Sequence, residues 1–96
     1  MADLVVTFDN NALPWHTSVV VSGPDRPGVL MGVSAAFAAA KVMVLTARIA
    51  TDEHGVNDRF AVTDRLGRKL DQGAMDRVRR FLAGERTRRS LFSLLR

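Results

Sequence analysis

The chain has no cysteine and no tyrosine, a single tryptophan and only three prolines in 96 residues. Without cysteine there is no disulfide staple and no thiolate metal site, so stability must come from an apolar core. A chain of this length, 47% hydrophobic, is long enough for one such core and is read as a single domain. No apolar run approaches the roughly 18–20 residues of a membrane-spanning helix. Met1 to Asn11 has neither a basic n-region nor an apolar h-region, so it is not read as a secretory signal. The expectation is a soluble, cytoplasmic protein. Catalytic signatures are missing as well. No phosphate-binding loop, dinucleotide glycine fingerprint or serine elbow occurs. The two histidines, His16 and His54, have no carboxylate at metal-ligand spacing, and Asp52-Glu53-His54 falls in a turn, a poor place for preorganised chemistry. No enzyme activity, cofactor or metal is expected of this chain alone.

Charge is present but uneven. Residues 1–64 carry 4 Lys/Arg against 7 Asp/Glu, and residues 65–96 carry 10 against 3, so the net +4 belongs to the last third. A basic third is compatible with nucleic acid, an acidic partner or a solvated helix face. Arg77, Arg79 and Arg80 are read as the last of these. The pattern for RNA recognition, a basic and aromatic run on a central strand, is not met, since only Phe60 stands there. Trp15 is expected to pack over a sheet edge.

Hydrophobic patterning gives the element order. Leu4–Phe8 and His16–Ser22 read as strands, separated by a turn containing Asp9-Asn10-Asn11 and Pro14. Gly23-Pro24-Asp25-Arg26-Pro27-Gly28 is a sharp break, with Pro27 suited to a first helical position. Val29, Leu30, Val33, Ala36, Phe37 and Ala40 then recur at helical spacing. Val42–Thr51 and Val56–Thr63 read as a hairpin around Asp52-Glu53-His54-Gly55, and Asp71–Leu82 as a second helix with Gly84 as its stop signal. This order is an α+β, ferredoxin-like sandwich: a four-stranded antiparallel sheet with two helices on one face. The extra edge strand is expected from Leu4–Phe8 rather than from Ser90–Leu95, because the tail is dense in arginine. Residues 1–84 are read as the domain and 85–96 as a basic tail.

The strand ending at Ser22, the Asp25-Arg26-Pro27-Gly28-Val29-Leu30 loop, the following helix and the strand Val44–Thr51 resemble an ACT domain, a small-molecule-binding regulatory module. In order, Phe8-Asp9-Asn10, the DRPGVL loop, Ala47-Arg48-Ile49-Ala50-Thr51, Asp58 to Asp64 and Gly67-Arg68-Lys69-Leu70 are similar to the C-terminal ACT domain of bacterial PII uridylyltransferases. The resemblance implies a ferredoxin-like ACT fold, a homodimer and a regulatory function. It also implies an amino-acid ligand, glutamine foremost, and a role in nitrogen regulation beside an attached or associated enzyme.

The expected ligand-binding residues are Asp25, Arg26, Pro27, Gly28, Val29, Leu30 and Met43. A strand turning sharply into a helix exposes free N–H groups that favour an anion, and Gly28 lets a ligand approach the backbone. Asp25 can accept from an amino group and Arg26 can pair with a carboxylate; the bland alternatives are a capping Asp25 and a solvated Arg26. Met43 enters through the resemblance. Amino-acid-binding ACT domains often place an Asn or Asp there, reaching the ligand across a dimer interface, and methionine cannot supply that polar contact. Two other functions are carried forward: a ligand-free dimerisation or docking module, which Met43 favours, and, more weakly, nucleic-acid binding through the basic third.

Overall fold

The computed structural model describes residues 3–84. Its elements are β1 (Val5–Asp9), β2 (Thr17–Gly23), α1 (Val29–Ala39), β3 (Met43–Arg48), β4 (Thr51–Asp52), β5 (Gly55–Thr63) and α2 (Gln72–Leu82). The sheet is antiparallel throughout, in the order β1-β2-β5-β3, with β4 also on β5. This is the expected ferredoxin-like α+β architecture, with the N-terminal strand at one edge. The candidate strand Ser90–Leu95 and the basic tail lie outside the described residues.

Alternation on the two central strands sets the layers. On β2, Thr17, Val19 and Val21 are buried; on β5, Val56, Asp58, Phe60 and Val62 are buried while Asn57 and Arg59 are exposed. The register pairs Thr17 with Val62, Val19 with Phe60 and Val21 with Asp58, so one face of the sheet is continuous and receives the helices. Helix α1 contributes Val33, Ala36 and Phe37 to the core, and α2 contributes Ala74, Val78 and Leu82. Phe37 meets Phe60 edge to face, with centroids 5.1 Å apart.

Three features depart from the sequence expectations. The strand expected over Val42–Thr51 is interrupted: β3 ends at Arg48 and pairing resumes only at Thr51. Arg79 is not simply solvated. Its guanidinium donates to the Val6 carbonyl at 3.2 Å and lies 4.7 Å from the centre of the Phe8 ring, tying α2 to β1. Trp15 does not pack over the sheet; it is 76% exposed.

Two close contacts pin the topology. Gly55, at φ 121°, sits so near β2 that an added Cβ would meet the Gly23 carbonyl oxygen at 2.2 Å. At the other end of the sheet, the fully buried Thr17 hydroxyl donates to Asn10 Oδ1 at 2.5 Å and accepts the Leu70 N–H at 2.8 Å. Asn10 Nδ2 donates to the Leu70 carbonyl at 2.9 Å, and Lys69 Nζ donates to the Asn10 carbonyl. The β1–β2 connection is thereby bonded to the segment that leads into α2. That helix opens on Asp71, whose carboxylate accepts the Ala74 N–H at 2.8 Å as its N-cap.

Substituting Thr17→Val keeps the side-chain shape but leaves the buried Leu70 N–H without its acceptor. Denaturant unfolding is expected to show a loss of roughly 1–3 kcal/mol, with Thr17→Ser much closer to the parent. The loop before α2 provides a second prediction. Arg68 N–H, then the Arg68 guanidinium and the Leu66 N–H, bond the Asp64 carboxylate and hold it below its ordinary value of 3.8 against a smaller opposing effect of burial. The native value is the lower one, so this contribution to stability is present above pH 3.8 and is lost as pH falls through the native value. Carboxyl NMR titration should find Asp64 depressed, and partly restored in Arg68→Ala, which keeps the backbone donor.

Candidate functional site

The turn from β2 into α1 is built by its glycines and prolines. Gly28 is the N-cap of α1 and adopts φ 84°, a left-handed conformation, and nothing lies within 4 Å of where a Cβ would stand. Pro27 therefore precedes the cap instead of occupying the first helical position. The first intrahelical bond runs from Gly32 N–H to the Gly28 carbonyl at 2.8 Å, and Val29 N–H is turned back to the Arg26 carbonyl at 3.3 Å. The N–H groups of Leu30 and Met31 have no acceptor among the described residues. No side chain caps α1 and no acidic residue lies in its first turn, so the positive end of the helix is left without a counter-charge. Asp25 is therefore not a capping residue.

These groups form one wall of a cleft. It is lined by Asp25, Arg26, Gly28, Val29, Leu30 and Met31 from the loop and helix, and by Ile49, Thr51, Val56 and Asp58 from the sheet. The sheet wall owes its shape to the break between β3 and β4. There the Ala50 N–H donates to Asp58 Oδ1 at 3.0 Å, and the Asn57 N–H donates to the Ala50 carbonyl at 2.8 Å. The chain bends around the Asp58 carboxylate and presents Ile49 and Thr51 to the cleft.

The expected site residues are not all in one place. Asp25, Arg26, Gly28, Val29 and Leu30 line the cleft together. Arg26 is neither free nor simply solvated: it forms an ion pair with Asp3, partly exposed on both sides, of the kind that water and salt readily loosen. Met43 stands at the far end of β3, paired with Thr63 and 54% exposed, so within one chain it does not reach the cleft. Asp58, 1% exposed, was not singled out as a site residue. Its signal was legible as a carboxylate on the apolar face of an alternating strand, between Val56 and Phe60. Among the described residues no group of three or more His, Cys, Asp or Glu is placed to hold a metal ion, and no helix is long and apolar enough to cross a membrane.

The ACT domain family profile matches residues 17–83, from the start of β2 to the end of α2. Among curated proteins, the chain is 40% identical over 73 residues to the bifunctional uridylyltransferase/uridylyl-removing enzyme of Ruegeria pomeroyi, covering 76% of this chain and 8% of that protein. It is 37% identical over 83 residues to the enzyme of the same name from Gluconobacter oxydans, covering 85% and 9%. A third, from Novosphingobium aromaticivorans, is 40% identical over 70 residues, covering 73% and 8%. The chain thus spans less than a tenth of the length of these relatives, and what it shares with them is their regulatory region. No solved structure matches it significantly. With the β-α-β-β-α core in place and the family pattern running through all of it, this chain belongs to the ACT domain family, a family of regulatory modules.

Proposed function

We propose that this chain senses an amino acid in the cleft at the start of α1, with glutamine the first candidate. We propose further that binding regulates an attached or associated enzyme of the uridylyltransferase kind in the bacterial cytoplasm, within nitrogen regulation. The observation that supports this is the uncapped N-terminus of α1: the Leu30 and Met31 N–H groups have no acceptor among the described residues, both residues line the cleft, and free N–H groups at a helix start suit a carboxylate. The names of the relatives supply the enzyme; the process is what the resemblance implies. In this reading residues 1–84 are the sensing module and 85–96 a basic tail.

The module works as a homodimer. All six residues of β3 are exposed, its outer edge has no partner strand among the described residues, and Leu30 and Met31 of α1 are exposed apolar side chains. An edge of this kind is a template for strand pairing. Two β3 edges paired antiparallel about a two-fold axis would set the start of one strand against the end of the other. Met43 of one protomer would then approach the cleft of its partner. A ligand that binds one dimer geometry better than another shifts that equilibrium, and the enzyme reads the shift. Because Met43 offers no hydrogen bond, a second reading survives beside the first: the same surface serves dimerisation or docking without a ligand.

Calorimetric titration and thermal melts with the twenty amino acids separate the two. Sensing predicts heat with at least one of them and, at about 100 times Kd, a rise in Tm on the order of 10 °C. Gly28→Asp, which places a carboxylate where the anion would sit, should weaken binding at least about tenfold while the domain stays folded. No heat and no shift with any amino acid leaves the docking reading. In sedimentation, Leu45→Lys on the exposed β3 edge should move a dimer toward monomer under either reading.

A further inference from the structure

The Asp58 carboxylate is a buried anion with no cation. It is 1% exposed, one oxygen accepts the Ala50 N–H, and no Lys, Arg or His of the described residues lies in ion-pair range. Buried carboxylates are ordinarily neutralised by a cation or by several donors, because an unpaired charge out of water is costly. The only arginine lining the cleft, Arg26, is committed to Asp3. The remaining carboxylate oxygen is not sealed inside the protein: among the described residues no buried side-chain oxygen lacks a partner, and Asp58 forms part of the cleft lining. Two unmet charge preferences therefore face one space. The uncapped end of α1, with its free Leu30 and Met31 N–H groups, attracts an anion, and Asp58, with Asp25 on the same lining, attracts a cation. Between them the walls are apolar, through Val29, Leu30, Ile49 and Val56.

We infer that Asp58 is a ligand-binding residue that receives the ammonium group of a zwitterionic amino acid whose carboxylate rests on the N-terminus of α1. This deepens the sensing reading of the same cleft and rests on it. It also links the ligand to the bend between β3 and β4. Asp58 already holds the Ala50 N–H, so an ammonium on its other oxygen acts on the residues that carry the chain from the β3 edge into the cleft wall.

The test compares L-glutamine with glutaramate, which is glutamine lacking the amino group, and L-leucine with 4-methylpentanoate, by calorimetry on the full chain. Each amino acid that binds should do so at least about tenfold more tightly than its des-amino partner, in line with the loss of a charge-assisted hydrogen bond. Asp58→Asn keeps the shape and retains an oxygen to accept the Ala50 N–H. It should weaken the binding amino acid at least about tenfold, leave the des-amino acid as in the parent and so abolish the difference within the pair. Equal binding of the two members of a pair to the parent chain overturns the inference while leaving amino-acid sensing intact, as does unchanged amino-acid affinity in a folded Asp58→Asn. If circular dichroism finds Asp58→Asn unfolded, the comparison on the parent chain decides alone. If neither L-glutamine, L-leucine nor any other of the twenty amino acids binds the parent chain, sensing and the role of Asp58 fall together.

Discussion

The hydroxyl of Thr17 has no access to water, so its two hydrogen bonds cannot be exchanged for solvent without exposing the end of the sheet. That constraint joins three segments far apart in sequence: the connection after β1, the first residue of β2 and the peptide of Leu70 just before α2. It holds β1 against β2 and brings the start of α2 to the same point. Arg79 strengthens the arrangement from the other side by bonding the Val6 carbonyl. Since β1 occupies the edge beside β2, the other edge of the sheet formed by the described residues is β3, which among them is left open. The lock at one end of the molecule thus determines which edge remains available at the other.

That open edge adjoins the cleft where the polar groups of the module meet. Gly28 in a left-handed conformation ends β2's approach and starts α1 with no side-chain cap. The bend between β3 and β4 brings Ile49 and Thr51 to face it, and the bend is held by a carboxylate on the apolar face of β5. A helix end without a counter-charge and a buried carboxylate without a cation are each unfavourable alone. Placed on facing walls they suit, in the proposed reading, a ligand of opposite dipole, to which the energy withheld from folding would become available.

The charge asymmetry has a different meaning in three dimensions. Among the basic residues of the last third, Arg79 on α2 belongs to the packing of β1, and Arg68 in the loop before α2 pairs with Asp64. On the sheet face away from the helices, Arg48 and Arg59 stand opposite one another in register, a like-charge pair that the chain's overall sum does not reveal. Basic composition alone is therefore a poor guide to a nucleic-acid partner in this chain.

Local physics was enough for much of the architecture. Alternation over β2 and β5, helical spacing from Val29 to Ala40 and the glycine-proline break between them are properties of adjacent residues, and they fix elements, order and fold class. The DRPG loop was legible as a site for the same reason: a strand that stops and a helix that starts within six residues must leave backbone donors free. Non-local facts were not legible. That Asp3 pairs with Arg26, that Asp58 forms the floor of a cleft built by residues some thirty positions earlier, that Met43 stands at the wrong end of its strand to meet that cleft and that Val42–Thr51 breaks at Ile49–Ala50 all depend on which strands pair and in what register. By itself the sequence determined the elements and where the backbone must turn. Only the tertiary structure decided which charges are left without partners, because a partner is a matter of distance in space, and pairing across the sheet sets that distance.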